Sequence, residues 1–205
     1  MTTLNENMTI HQVRMVRKRN GPQSWGPIPD EIKNAFLYRN YRIETVKAGT
    51  KLWKMTQYDF NTNRVTPWWS PVMPYKDDLK GVRGNLREAA YNGVSAITYV
   101  RIAAAVRFDW NRLTMLQQIT LKQDAKGLWG QFAPQPNLSP DKRTQYNELI
   151  KESPHIPNMV GGLGAWQFWI PNLTGESAKH DFSERNEDAW VRRLGVILPK
   201  PHPFV

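Results

Sequence analysis

Apolar and polar positions alternate along two early stretches of the chain. YRIETV and TKLWKMT both show the two-residue period of half-buried strands, and an Ala-Gly turn separates them. Just before them, Pro-Asp-Glu at residues 29–31 is typical of a helix start, and we expect that helix to reach about Arg39. The pattern therefore predicts a short helix followed by two strands.

A later segment, AITYVRIAAAVR at residues 96–107, is apolar on almost every side. Ser95 precedes it as a helix cap, so we expect a buried core helix here. Two strand-like runs, LTMLQQITLKQ and KGLWGQFAPQP, follow with a turn at Gln123-Asp124-Ala125 and predict a hairpin. In AWQFWIP, alternation predicts a short buried strand with Gln167 and Trp169 on one face and Phe168 on the other.

Prolines interrupt the segment VTPWWSPVMPY. Three prolines argue against a regular central strand, so we expect a shaped loop or an edge, with Trp68 and Trp69 pointing in opposite directions if it is extended. Helices and strands do not alternate regularly, which disfavours a parallel doubly wound sheet. The sequence therefore predicts an α+β fold, mostly antiparallel, with flanking helices. We expect residues 1–28 to form a basic flexible leader or arm and residues 29–205 to form a single domain.

Composition narrows the classes of function. The 205 residues include no cysteine, so disulfides, thiolate nucleophiles and cysteine-bound metals are excluded, and the four histidines fall in no metal-ligand spacing. We expect no metal. No apolar run is long enough to predict a membrane span. A net charge of +10 favours an anionic partner, such as a nucleic acid, a nucleotide, an acidic protein or a membrane surface.

Candidate chemistry rests on amides, rings and isolated cations, because the sequence has no P-loop, Rossmann glycine motif or hydrolase nucleophile elbow. Gln167 places an amide among apolar residues, where it either bonds to neighbouring backbone or binds a ligand. Trp68, Trp69 and Ser70 either seat a planar ring or form a hydrophobic edge with a turn serine.

Three further polar residues have two interpretations each. Arg101 is the sole charge in the apolar helix, and it is either a structural ion-pair partner or an anchor for a ligand phosphate. Lys54 places a cation at a strand end. Gln131 lies near a tryptophan in GLWGQFAPQP.

Four segments, in order, resemble the strand motifs of the ADP-ribosyltransferase-like and NAD-glycohydrolase toxin superfamily: AGTKLWKM, TPWWSPV, GLWGQFAPQ and GGLGAWQFWIP. The resemblance implies a split-sheet ADP-ribosyltransferase-like core, with residues 29–205 as a single catalytic domain. It implies an enzyme that cleaves the nicotinamide–ribose bond of NAD, its substrate, without a metal. Gln167 would be the catalytic residue, and NAD would contact Lys54, Trp68, Trp69, Ser70, Arg101 and Gln131.

Two departures from the superfamily pattern matter. Lys54 stands where an arginine is usual, and the last motif lacks Glu-x-Glu or Gln-x-Glu, which weakens the case for arginine-directed protein modification. NAD glycohydrolase and ADP-ribosyltransferase activity both stay open.

The resemblance also implies a bacterial toxin or effector. Its expected partners are NAD, a macromolecular acceptor of ADP-ribose and a cognate immunity protein. The opening MTTLNENMTIHQ has no basic segment followed by an apolar core, so we expect secretion or injection without a classical signal peptide and action in the cytoplasm of a target cell. The alternative is a nucleic-acid-binding or nuclease domain that uses the basic and aromatic residues.

Overall fold

The computed structural model describes residues 12–13, 26–57, 66–107, 110–136, 159–161, 163–171, 173 and 183–185. Within them lie the helices α1 (Asp30–Asn34), α2 (Gly81–Tyr91) and α3 (Ala96–Ala103). The strands are β1 (Gln12–Val13), β2 (Gly26–Pro27), β3 (Phe36–Val46), β4 (Lys51–Thr56), β5 (Trp68–Pro71), β6 (Met115–Leu121), β7 (Ala125–Phe132), β8 (Gln135–Pro136), β9 (Met159–Val160), β10 (Trp166–Trp169) and β11 (Ser183–Arg185).

Seven of these strands form one sheet, in the order β11-β6-β4-β5-β10-β7-β3. Every neighbouring pair in it is antiparallel. The remaining described strands form two small ladders, β1 with β2 and β8 with β9. The predicted α+β class with an antiparallel sheet and flanking helices is therefore confirmed.

The sheet has two halves that meet at β5. Trp68 and Trp69 pair with β10, whereas the next two residues, Ser70 and Pro71, pair with β4. The β4–β5 ladder therefore spans only two residue pairs, and Lys54 lies beyond its end. A ladder this short lets the two halves diverge beside β5.

Helices cover one face of the sheet at two separate places. Trp53 and Met55 of β4 pack against apolar residues of α2 and α3. At the other end of the same face, Phe36 and Trp169 pack with Ile28 and the partly buried Ile32 of α1. The opposite face buries a cluster that includes Trp69, Trp129 and Phe168. Between these two helical regions, the same face of the sheet is accessible to a ligand.

The core helix begins as predicted. Ser95 Oγ accepts a hydrogen bond from the backbone N–H of Thr98 at 3.1 Å, which satisfies one of the free donors of the first turn. α3 ends at Ala103, four residues before the predicted end. None of the described helices has the length and apolar character needed to cross a membrane.

The expectation that the first helix reaches Arg39 was wrong. α1 ends at Asn34, and β3 begins at Phe36. Tyr38 and Arg39 have φ values of 54° and 55°, within the left-handed region, and the β3–β7 register shifts between Phe36 and Tyr41. The chain therefore enters the sheet at Phe36, directly after α1, and the bulge lies within β3.

Two expectations about strand pairing were also wrong. β5 is central in the sheet and not a loop or an edge, because it is only four residues long and Pro71 is its last residue. β6 and β7 do not form a hairpin: β6 pairs with β4, whereas β7 pairs with β10 and β3. Consecutive strands therefore lie in different halves of the sheet.

The predicted leader falls mostly outside the described residues. Within residues 1–28, β1 and β2 pair with each other, and Ile28 is buried in the core. Packed structure therefore begins no later than Ile28, one residue before the predicted boundary.

Candidate functional site

A cleft of about 420 Å³ lies between the two covers of the sheet. Its walls come from α1, β4, β5, β10 and the segment that follows α3, and they are mainly apolar. Among its described lining residues only two are charged, Glu31 and Lys54. The size and this lining, apolar with a few polar groups, are typical of a site for a small organic molecule.

One row of residues crosses the sheet beneath the cleft. Trp53 pairs with Ser70, Gln167 pairs with Gly130, and Gly130 also pairs with Tyr41. Continuing the β5–β10 register, in which Phe168 faces Trp69, brings Gln167 beside Ser70. Because paired residues share a face, the Gln167 amide and the Ser70 hydroxyl are neighbours on the cleft side.

Gln167 is held rigidly at the floor of the cleft. Its side chain is 2% exposed, and Nε2 donates a hydrogen bond of 3.0 Å to the carbonyl oxygen of Ala35. The same carbonyl accepts the backbone N–H of Ala133 at 2.9 Å, so its position is fixed from two sides. A carbonyl partner identifies Nε2 as the bound atom of the amide. Oε1 accepts no hydrogen bond from the described residues, which leaves this oxygen for a ligand.

The two adjacent tryptophans point in opposite directions, as predicted for an extended segment. Trp68 pairs with Trp169 on the cleft face, and its ring lies 5.6 Å from that of Phe36. Trp69 pairs with Phe168 on the other face, is 1% exposed, and donates from Nε1 to the carbonyl of Leu173 at 3.1 Å. Trp68 is therefore the ring available for stacking, whereas the ring of Trp69 is buried on the opposite face of the sheet.

Ser70 joins two strands and still offers acceptor capacity. Its hydroxyl donates to the carbonyl oxygen of Trp166 at 3.2 Å, which ties β5 to β10. A hydroxyl that donates one hydrogen bond retains lone pairs. Ser70 Oγ can therefore accept a hydrogen bond from a ligand without a change in its position.

Lys54 follows Trp53 in β4, so its side chain points to the face of the sheet that carries Trp69, at the position just beyond the β4–β5 ladder. Its ammonium donates to the carbonyl of Thr66 and lies 4.1 Å from the centre of the Trp69 ring. Burial lowers the pKa of Lys54 well below its usual value. Within the described part of the chain no carboxylate lies within ion-pair distance of it. An anionic ligand group would supply that counter-charge.

No protein-family model, curated protein or solved structure matches this chain. Across the described residues, no three or more His, Asp or Glu side chains are grouped so that they could hold a metal ion.

The structure brings together five of the seven residues that the sequence proposed for the site. The cleft is lined by Gln167, Lys54, Trp68, Trp69 and Ser70, which come from three strands. Strand order explains why motifs far apart in the chain meet here, since β4, β5 and β10 are neighbours in the sheet.

Arg101 lies outside the cleft lining. It is 3% exposed, and its guanidinium donates to the carbonyls of Val106 at 3.3 Å and Asn111 at 3.1 Å. Burial lowers the pKa of Arg101 to about 10. Since Val106 and Asn111 line the cleft, Arg101 positions the segment after α3 and does not present its charge to a ligand.

Gln131 also lies outside the cleft lining. It pairs with Trp166, one position along from the pair between Gly130 and Gln167. Successive residues of a strand point to opposite faces, so Gln131 lies on the face away from the cleft. The sequence showed a glutamine near tryptophans but not which face of the sheet it would occupy.

Sequence reasoning missed several lining residues. The sequence predicts Glu31 only as part of a helix start, and it predicts no site role for Trp110 or Asn111. Trp110 is half exposed at the rim, with the guanidinium carbon of Arg107 4.8 Å from its ring centre. No local pattern marks these residues, because they reach the cleft through the packing of α1 and of the segment after α3.

Proposed function

We propose that the cleft binds NAD and that the protein cleaves the nicotinamide–ribose bond, as an NAD glycohydrolase or an ADP-ribosyltransferase. One observation carries the proposal: Gln167, fixed by the carbonyl of Ala35, lines an aromatic cleft with an amide oxygen that has no donor among the described residues. The sequence resemblance assigns catalysis to this same glutamine.

The bond to be broken explains why a fixed amide is useful. As nicotinamide leaves, positive charge develops on the ribose, and the departing ring becomes neutral. A carbonyl dipole aimed at the ribose stabilises this charge without reorganising during the reaction, and such a preorganised group contributes roughly 3 kcal/mol. A glutamine does not accept protons at neutral pH, so the proton acceptor must be another group.

The nicotinamide half of NAD fits beside the exposed face of Trp68. A flat aromatic ring stacks on an indole, and the contact of Trp68 with Phe36 holds that indole in place. Ser70 Oγ, next to Gln167 in the register, accepts from the carboxamide N–H. The two contacts together orient the leaving group.

Lys54 is assigned to the diphosphate of NAD. Its ammonium has a carbonyl and a ring as partners and no carboxylate among the described residues. Two phosphate charges would compensate the desolvated cation. The proposal assigns no metal to this site.

The architecture agrees with the resemblance at a coarse level. The antiparallel sheet, with the cleft beside its central strand β5, supports a split-sheet core. We include the ADP-ribosyltransferase-like core in the proposal on this basis, with residues 29–205 as one catalytic domain.

The biological role belongs to the same proposal. A protein that consumes NAD acts as a toxin or effector in the cytoplasm of a target cell, after secretion or injection without a classical signal peptide. Its macromolecular partners would be an acceptor of ADP-ribose and an immunity protein that blocks the cleft. Induced expression inside a bacterial cell should then deplete NAD before growth stops.

The lining of the cleft does not support the alternative function, nucleic-acid binding. One acid and one base line its described walls, which leaves no concentration of positive charge there despite the net charge of +10. A nucleic-acid site would show single-strand affinity that falls steeply with salt concentration.

The test is the release of nicotinamide. Purified protein is incubated with NAD, with and without cell lysate as a source of acceptors, and free nicotinamide is measured by chromatography. We expect nicotinamide to accumulate in proportion to protein concentration. Absence of release under both conditions would overturn the proposal, and labelled ADP-ribose on a macromolecule would identify a transferase.

A further inference from the structure

Glu31 stands apart from the other acidic side chains that the structure describes. It lines the cleft, is exposed to solvent, and has no hydrogen-bond or ion-pair partner among the described residues. The other described carboxylates each accept from a cation or a backbone N–H: Asp30, Glu44, Asp77, Asp78, Glu88 and Asp124. A carboxylate without a partner at the edge of a cleft is available to a reactant.

Helix geometry relates Glu31 to Gln167. Glu31 and Ala35 are four residues apart in and just after α1, so they lie on the same side of the helix, separated by an axial rise of about 6 Å. The carbonyl of Ala35 is the group that holds the Gln167 amide. Glu31 therefore lines the same cleft as Gln167, about one helical turn from the residue whose carbonyl holds the amide.

We propose that Glu31 is the general base of the reaction, accepting the proton of the water that attacks the ribose. This inference rests on the proposed cleavage of NAD. The electron pair of the bond between ribose C1′ and nicotinamide N1 leaves with nicotinamide, and the water oxygen forms the new bond to C1′. One water proton passes to the Glu31 carboxylate and then to solvent, so NAD and water give ADP-ribose, nicotinamide and a proton.

The test compares Glu31→Gln with Asp30→Asn. Asp30 is the adjacent acid on the same helix but lies outside the cleft lining and is paired with Lys33 at 3.1 Å, so its variant removes the same charge without touching the cleft. We expect Glu31→Gln to lower kcat for ADP-ribose formation by about 10²–10⁴-fold, with unchanged NAD affinity.

A second variant separates a chemical role from a structural one. Added formate should restore part of the activity of Glu31→Ala, because a small carboxylate can occupy the space that the side chain leaves, and it should not affect Asp30→Asn. Wild-type rates in Glu31→Gln would overturn the role of Glu31 and leave NAD cleavage standing. An inactive wild-type protein would overturn both NAD cleavage and the role of Glu31. A loss of activity in Asp30→Asn as large as that in Glu31→Gln would overturn the role of Glu31 alone.

Discussion

Replacing Gln167 with methionine should lower kcat for nicotinamide release by about 10²–10³-fold and change NAD affinity little. Methionine has a similar length but no carbonyl dipole, so it keeps the volume of the side chain and removes the group aimed at the ribose. The loss appears in kcat, because the dipole interacts most strongly with the charge that exists only in the transition state. Steady-state kinetics and equilibrium binding, measured on the same preparation, separate the two effects.

A matched control is Gln117→Met in β6. Gln117 is as buried as Gln167, but it does not line the cleft, and its Oε1 has no hydrogen-bond partner within the described part of the chain. We expect this variant to retain wild-type kcat. Gln167→Met itself should remain folded, since the Ala35 carbonyl keeps its bond from Ala133 and one lost hydrogen bond costs about 1 kcal/mol. A folded Gln167→Met protein with wild-type kcat would move catalysis to another residue.

NAD affinity should fall as the pH rises through the pKa of Lys54, which burial places well below its ordinary value of 10.5. The diphosphate stabilises the ammonium, so the pKa of Lys54 is higher in the complex than in the free protein. Affinity is therefore complete below the free-protein pKa and is lost between the two pKa values. A charged hydrogen bond contributes about 1.5–3 kcal/mol, which corresponds to a loss of about 10-fold to 100-fold.

Calorimetric titration with NAD across a pH series measures this effect. The Lys54→Met variant should bind with the weak, high-pH affinity at every pH and take up no proton on binding. Lys51→Met is the matched control, since Lys51 belongs to the same strand but does not line the cleft, and it should keep the pH dependence of the wild type. A pH dependence that persists in Lys54→Met would remove Lys54 from the diphosphate site.

The local sequence pattern is sufficient to predict features that depend on a single strand or helix. The alternation of AWQFWIP predicted that Gln167 and Trp169 share a face, and the register with β7 confirms it. Ser95 predicted the start of the core helix for an equally local reason, the hydrogen bond of a side chain to the first turn.

These local patterns do not predict which strands pair with each other across the sheet. The hairpin expected from β6 and β7 satisfies every local rule, yet the two strands pair in different halves of the sheet. The prolines around β5 predict a loop or an edge. A strand of only four residues with Pro71 at its end nevertheless fits the centre of a sheet. The same reason explains Gln131 and Glu31. The face that Gln131 occupies and the position of Glu31 at the cleft both depend on which strands become neighbours.

Gly130 shows how such long-range packing constrains the site. A Cβ at this position would lie 2.6 Å from Phe36 Cδ1 and 2.7 Å from the carbonyl oxygen of Asn40, so β3 can approach β7 only because the side chain is absent. That approach occurs directly beside Gln167 in the register. The glycine in GLWGQ therefore matters through partners that the sequence alone does not reveal.

The most direct test of the account is the structure of the unmodified protein with an NAD analogue whose nicotinamide ribose is a carbocycle, which prevents cleavage. We expect the nicotinamide ring against Trp68, the carbocycle within hydrogen-bond or van der Waals distance of Gln167 Oε1, and the diphosphate at Lys54. An analogue bound elsewhere on the protein, or an empty cleft at saturating concentration, would contradict the account.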